Sequence, residues 1–280
     1  MFKSFTNQAK KYPIPIFFLL TFLLSWTLWL PIGLLAPKPF LLTVIPGMWA
    51  PTISAILLTG LAEGKAGIRV FLGRLLKWRV GFKWYLVVLF GTAVIAYAAV
   101  GINLSFGGDI PEISLPDGTP RDAWLIVLPI VFFVNIFFGG PLAEDIGWRG
   151  YILPKLKERT NALYASLLIG VAWVLWHIPF FIFPEGYSAV GSIPFVWFAL
   201  MTIAWSVLFA WVYVNTESIL MPVLFHASIN TTLVSLGVLG QSSGEFLPVI
   251  LNTIITWLAV TIVIIRLGKD LKPKHKPGQI

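Results

Sequence analysis

The sequence predicts an all-α membrane protein with eight transmembrane helices and an interfacial amphipathic helix between the second and third of them. Of the 280 residues, 58% are apolar and only 11% are charged, and the mean hydropathy is +0.86. Soluble globular domains carry about 25% charged residues. These values exclude a water-soluble globule and place the chain in a lipid bilayer.

Eight apolar segments approach the roughly 20 residues that a membrane-spanning helix needs. Because they use most of the chain, we expect a single transmembrane domain over residues 1–280 and no separate soluble module. The segments are centred near Leu24, Ala50, Gly91, Val131, Val171, Met201, Phe225 and Thr256.

Positive charge alternates along the chain. Eighteen of the 20 Lys and Arg residues fall in every second connection between the expected spans. By the positive-inside rule, this bias predicts a multi-pass protein of the cell membrane with both termini in the cytoplasm. The net charge of +8 is therefore interpreted as a topology signal, and no nucleic-acid partner is expected.

The stretch Gly67–Tyr85 predicts the interfacial helix. Val70, Phe71, Leu75 and Trp78 recur about a turn apart, with basic residues between them. A helix with this pattern lies in the membrane surface, with its apolar side toward the lipid.

Polar residues within or at the ends of the apolar segments are the candidates for a functional site. An ionisable side chain in the bilayer costs roughly 2.5–3.5 kcal/mol on insertion scales and normally marks a site or a pathway. The candidates occur in three stretches: "EDIGWRG" with Glu144, Asp145 and Arg149, "WHIPFF" with His177, and "HASIN" with His226 and Asn230.

The spacing of these residues predicts which of them share a helix face. Residues i and i+4 stack on one face, so Arg149 can hold Asp145, while Glu144 lies about 100° around the helix and stays available. By the same rule, His226 and Asn230 point to one interior space.

A turn at the polar "KERTNAL" stretch would bring the first two groups together. The midpoint between Glu144 and His177 falls at Thr160 and Asn161. If two antiparallel helices meet there, both side chains lie about 24 Å from the turn at 1.5 Å per residue. The fourth helix must then continue through "GWRGYILPKLKER", with a bend at Pro154.

Each group also has a purely structural interpretation. The acid–arginine pair could be a structural ion pair, His177 could belong to an aromatic cluster with Trp173 and Trp176, and His226 and Asn230 could form interhelical hydrogen bonds. Together, however, a carboxylate, two imidazoles and an amide are the groups that activate water and bind an oxyanion. The combination favours a catalytic site.

The ordered motifs resemble those of the CAAX protease and bacteriocin-processing (Abi) family of intramembrane proteases, which includes type II CAAX prenyl proteases. The family pattern has two adjacent glutamates and, after three residues, an arginine. A histidine follows at the end of an aromatic-rich stretch, and then a histidine four residues before asparagine or aspartate. The eight-helix layout and the basic stretch between spans two and three agree with this pattern.

The resemblance implies a role for each matching position within a catalytic core over about 123–238. Glu144 matches the general base, and His177 the group that helps to hold and activate water. His226 and Asn230 match the residues that stabilise the tetrahedral oxyanion, and Arg149 matches the family arginine. Asp145 departs from the pattern, because it stands where the family usually has a second and longer acid.

Metal dependence stays open from the sequence. Glu144, His177 and His226 could form a two-histidine, one-carboxylate zinc site with a water in the open position. Zinc ligation would remove Glu144 as the base, whereas without a metal Glu144 can deprotonate water directly. The chain has no "HExxH" motif, and the metal-free version is favoured, so no cofactor is assigned.

The predicted function is an intramembrane endopeptidase of a prokaryotic cell, which cleaves a membrane-associated peptide or protein. The alternative is a non-catalytic bacteriocin self-immunity protein or peptide-binding protein with the same polar cluster. A transporter is disfavoured, because no internal repeat is evident and the polar groups gather in one place. The expected partners are the lipid bilayer and the substrate; no oligomeric state is predicted.

Overall fold

The computed structural model describes residues 2–35, 41–109, 119–182, 193–235 and 246–273, and within these ranges the chain is helical, with no strand. The α-helices are α1 Phe2–Lys11, α2 Pro13–Leu35, α3 Leu41–Met48, α4 Ala50–Gly73, α5 Phe82–Ser105, α6 Trp124–Phe138, α7 Pro141–Asp145, α8 Leu153–Arg159, α9 Ala162–Trp176, α10 Pro179–Ile182, α11 Phe195–Thr216, α12 Leu220–Asn230 and α13 Leu247–Leu267. The prediction of an all-α protein is confirmed.

Six candidate membrane spans are found among the described residues: Pro13–Pro31, Phe82–Ser105, Trp124–Arg159, Ala162–Ile182, Phe195–Thr216 and Leu247–Leu267. Many large apolar side chains on these helices face outward, for example Phe90 on α5 and Ile265 on α13. This outward apolar surface is the surface that a bilayer covers.

The expected spans near Ala50 and Phe225 are not confirmed, and each has a structural reason. In α4, Gly64 has non-helical dihedral angles (φ 69°, ψ −163°) that break the helix, and charged residues follow the break. The described helical stretch near Phe225 consists of the 11 residues of α12 and a π-helical segment of 5 residues, Thr231–Ser235, fewer than the roughly 20 that a span needs. Residues 236–245, which follow it, lie outside the described ranges.

The interfacial helix over Gly67–Tyr85 is likewise not confirmed as one element. The helical part ends at Gly73, a 3₁₀ turn covers Arg74–Leu76, and α5 begins at Phe82. Apolar side chains in this stretch are nevertheless exposed, such as Trp78 at 59%. The segment thus presents apolar and basic groups together without forming a continuous helix.

The predicted continuation of the fourth helix and its turn are confirmed. Past a break at Gly140 (φ 104°), the chain is helical through α7, a π-helical segment Ile146–Ile152 and α8. Asn161 then caps α9 by accepting a hydrogen bond from the Tyr164 amide at 3.1 Å. The two antiparallel segments that carry the candidate residues therefore meet at Thr160 and Asn161.

Close packing fixes this helix in the bundle. Gly147 lies against the backbone of Pro51 in α4, where an added Cβ would collide. The Thr52 hydroxyl donates to the Ala143 carbonyl at 2.6 Å. α11 packs against α9, α12 and α13 and has more buried residues than the other described helices, so it forms the centre of the described core.

Candidate functional site

Asp145 and Arg149 form a buried ion pair on the helical turn after α7. The Arg149 Nη1 lies 2.7 Å from the Asp145 Oδ1, and the side chains are 1% and 0% exposed. The guanidinium is held between two rings, 4.3 Å from the Trp173 centroid and 4.0 Å from that of Phe209. The pairing that the i, i+4 spacing predicts is present, and the aromatic faces add cation–π attraction to it.

The second carboxylate oxygen of Asp145 contacts His226. The distance from Oδ2 to His226 Nδ1 is 3.0 Å, between residues that are 81 positions apart. A carboxylate accepts hydrogen bonds, so Nδ1 carries the proton in this contact and Nε2 is left for another partner. Asp145 therefore links the arginine to the first residue of the "HASIN" motif, a contact that the local spacing could not reveal.

Glu144 is also buried, at 3% exposure, and it does not pair with the arginine. Its Oε2 accepts a hydrogen bond of 2.7 Å from the indole Nε1 of Trp173 on α9. The described residues provide no hydrogen-bond partner for its other oxygen. The separation of the two acids agrees with the 100° offset between neighbouring helical positions.

His177 caps the carboxyl end of α9. Its Nδ1 lies 2.7 Å from the Trp173 carbonyl oxygen, and only a protonated Nδ1 can donate to a carbonyl, so Nε2 is the free acceptor. The ring packs edge-on against Trp176, Phe180 and Phe198. The aromatic cluster considered as an alternative is therefore present, and it surrounds the imidazole.

Trp173 connects the two candidate residues, whereas the sequence identified it only as a member of an aromatic cluster around His177. Its indole N–H binds Glu144 and its carbonyl binds His177. The available signal was its position four residues before His177, which places both on one face of α9. Glu144 and His177 therefore contact the same residue of α9, an arrangement that agrees with the turn at Thr160 and Asn161.

A cavity of about 90 Å³ lies beside these groups, lined in part by Trp173, His177, His226, Asn230 and Trp205. The volume exceeds the roughly 10–15 Å³ that one water molecule requires. Glu144 adjoins this cavity through its hydrogen-bond partner Trp173 and is not itself a lining residue. The wall thus combines two imidazoles and an amide with a largely apolar surface.

Asn230 is held at the break between α6 and α7. Its Nδ2 donates to the Gly139 carbonyl at 3.0 Å, which uses one of the two amide hydrogens. His226 precedes it by one turn of α12, and both line the cavity. The predicted common face of these two residues is therefore present.

The zinc alternative requires Glu144, His177 and His226 to lie together. Within the described part of the chain, no three histidine or carboxylate side chains are close enough together to hold a metal ion. These three residues each use one atom in another contact and keep a second oxygen or nitrogen, so it is their separation, and not those contacts, that does not fit a zinc ligand set in this arrangement. No step is therefore derived through a metal.

The candidate residues lie within the part of the chain that matches a known family. Residues 126–232 match the model of the Rce1-like type II CAAX prenyl endopeptidases. A CAAX prenyl protease 2 from Methanococcus maripaludis is 25% identical over 234 residues, which cover 80% of this chain and 84% of the relative. The resemblance drawn from the three motifs is confirmed: over the segment that holds every candidate site residue, this chain is similar to the Rce1-like type II CAAX prenyl endopeptidases.

Proposed function

We propose that this protein is an intramembrane endopeptidase that hydrolyses a peptide bond of a membrane-associated peptide or protein, with Glu144 and His177 acting on a water molecule. The observation that carries the proposal is the contact of both residues with Trp173 beside a cavity large enough for water. The family match supports the reaction class.

Two acceptors are available to orient the water. The Oε2 of Glu144 is occupied by the indole, so Oε1 is left for a water proton, and His177 Nε2 is a second acceptor. A water molecule that donates one hydrogen bond to each of these acceptors has its oxygen lone pairs directed away from them. The lone pairs then face the carbonyl carbon of a substrate in the cavity. Glu144 takes one proton as the water attacks, which is general base catalysis.

The tetrahedral intermediate then carries a negative oxygen. The second amide hydrogen of Asn230 is one donor assigned to it. His226 is assigned as the other in its imidazolium form, in which Nδ1–H donates to Asp145, which fixes the ring, and Nε2–H donates to the oxyanion. Donors held in place before the reaction stabilise developing charge most effectively. Glu144 returns its proton to the leaving amine nitrogen, so water is divided between the two products.

Asp145 is assigned a positioning role in this scheme. Although it is one methylene shorter than the family's usual glutamate, it reaches both Arg149 and His226. We therefore infer that the departure from the family pattern is compatible with activity. We also propose the eight-span topology with both termini in the cytoplasm. The alternation of Lys and Arg between connections supports it, and residues 36–40 and 236–245, next to the two unconfirmed segments, lie outside the described ranges.

The substitution Glu144→Gln tests the function. The amide keeps the shape of the side chain and can still accept the Trp173 hydrogen bond, but it is not a general base, so cleavage is expected to fall by about 10²–10⁴-fold. The measurement uses purified protein in lipid nanodiscs with quenched fluorescent peptides, prenylated and unmodified. Glu158→Gln, at an exposed position on α8, is the matched control, and it is expected to leave cleavage unchanged.

Comparative peptidomics of membranes from cells carrying wild type or Glu144→Gln extends the test to natural substrates. Peptides that appear only with the wild type identify the cleaved chains. If the variant retains cleavage, Glu144 is not the general base and the assigned mechanism is wrong. If the biological activity of the protein survives in the variant without cleavage, the endopeptidase proposal is wrong and the peptide-binding alternative is supported.

A further inference from the structure

A second cavity, of about 380 Å³, lies where the ends of α5, α11 and α13 meet. It shares no lining residue with the cavity at the candidate site. α5 begins at Phe82, α11 ends at Thr216 and α13 ends at Leu267, and these helices pack against one another. The cavity therefore lies at one end of three membrane helices, at the level where a bilayer changes from headgroups to acyl chains.

One wall of this cavity is apolar. Val87 from α5 and Ile262, Val263 and Leu267 from α13 line it, and Ile262 is 54% exposed on the outer surface of the bundle. A cavity that is continuous with the outward apolar face of membrane helices is open to lipid. This wall has the chemistry to contact an acyl chain.

Two cations lie at the other end. Lys83 and Arg266 both line the cavity, and among the described residues neither forms an ion pair. Glu217 is paired instead with Lys77 and Lys272. Lys83 and Arg266 therefore provide positive charge that no described carboxylate compensates.

Two tryptophans contribute amphipathic rings to the cavity. Trp84 and Trp211 both line the cavity, with ring centroids 5.0 Å apart in an edge-to-face arrangement. The Lys83 ammonium lies 5.5 Å from the Trp84 ring centroid. Within the described ranges, the Trp211 indole N–H has no hydrogen-bond partner, and such amphipathic rings lie at the headgroup level of membranes.

We propose that this cavity is a binding site for an anionic phospholipid. The phosphate lies between Lys83 and Arg266, the Trp211 indole N–H donates to the headgroup region, and one acyl chain follows the wall formed by Val87 and Val263. A free phosphate ion would satisfy only the two cations and leave the apolar wall uncovered. Lys83 and Arg266 lie nearer the ends of α5 and α13 than Val87 and Val263 do, so the charge precedes the apolar wall in the order of a phospholipid from the headgroup inward.

Native mass spectrometry of the full-length protein in detergent tests this site. The probes are phosphatidylglycerol, phosphatidylcholine with the same acyl chains, and inorganic phosphate. The double variant Lys83→Gln/Arg266→Gln is expected to bind phosphatidylglycerol about thirtyfold more weakly than the wild type, from a factor of about five for each surface charge. Lys155→Gln/Lys157→Gln, which removes the same charge from half-buried Lys155 and exposed Lys157 on α8, should stay within about twofold of the wild type.

The variant Val263→Trp tests the apolar wall without a change of charge. It is expected to weaken phosphatidylglycerol binding, because the larger ring fills the space assigned to the acyl chain. Unchanged lipid binding in the Lys83/Arg266 variant, an equal loss in both double variants, or displacement of phosphatidylglycerol by inorganic phosphate would each overturn the proposal. Equal affinity for phosphatidylcholine in the wild type would overturn the anionic preference.

Discussion

Replacing Trp173 by Phe is expected to slow peptide cleavage by about 10- to 150-fold. The change removes one hydrogen bond, the 2.7 Å contact from the indole Nε1 to Glu144 Oε2, and keeps an aromatic ring at the position. A hydrogen bond to a charged group contributes about 1.5–3 kcal/mol. At 1.36 kcal/mol for each tenfold change in rate, its loss gives the stated range.

The loss should appear in kcat more than in KM. Without the indole, the Glu144 carboxylate is free to turn toward Arg149, whose Nη2 is buried and has no hydrogen-bond partner within the described structure. The base is then misoriented toward water, while the cavity wall keeps an aromatic surface for the substrate. A loss of substrate packing alone would instead raise KM and leave kcat unchanged.

Trp176→Phe is the matched control. Its indole also donates a 2.7 Å hydrogen bond, but to the Ser25 hydroxyl, and its ring also packs against His177. Steady-state cleavage of a fluorogenic peptide in nanodiscs, with thermal unfolding of each variant, separates the two effects. If Trp173→Phe retains kcat within about twofold of wild type, or loses no more than Trp176→Phe, Trp173 does not position the base.

Three further outcomes are expected. Asp145→Asn should lower kcat by more than tenfold in the same cleavage assay, because it weakens the contacts to Arg149 and His226 together; activity equal to wild type would exclude a positioning role. Treatment with a chelator should leave cleavage unchanged, and elemental analysis of the active protein should find less than one zinc per chain; loss of activity that zinc restores would contradict the metal-free mechanism. Because the chain has no cysteine, Thr160→Cys and Thr119→Cys can be labelled singly in intact cells, and an impermeant maleimide should react only with Thr119→Cys if the termini are cytoplasmic.

Local spacing predicted the parts of the site that depend on a single helix or turn. Asp145 and Arg149 are four residues apart, and their ion pair follows from helical periodicity. The turn at Thr160 and Asn161 follows from the one polar stretch between two apolar segments, and Asn161 provides the cap that begins α9. These features depend on neighbouring residues, so the sequence contains the information directly.

The contacts between distant residues could not be predicted in the same way. The link from Asp145 to His226 joins positions 81 residues apart, and the link from Asn230 to Gly139 joins positions 91 apart. Their formation depends on how α7 and α12 pack. The hydrogen bond from Trp173 was missed for another reason. A tryptophan ring in an apolar segment is interpreted as a packing contact, and the hydrogen bond of its N–H is evident only when a carboxylate is known to lie nearby.

Hydropathy also predicted eight spans, of which the described residues confirm six. An apolar segment with its centre at Phe225 satisfies a length criterion, but α12 ends at Asn230 and a π-helical turn follows at Thr231–Ser235. The polar residues that interrupt this segment are those that line the candidate cavity. The candidate residues therefore lie where a regular membrane helix is not maintained, since irregular backbone at membrane depth is tolerated where it is buried in protein or lines a cavity.

The structural and catalytic interpretations of the polar groups describe the same contacts. A buried arginine requires a carboxylate, and Asp145 supplies one to Arg149. Because a carboxylate has two oxygens, the same residue also orients His226, while the neighbouring acid is kept apart by the indole of Trp173. Because Asp145 forms the ion pair with the arginine, Glu144 does not. A carboxylate without a paired cation is available to take a proton from water.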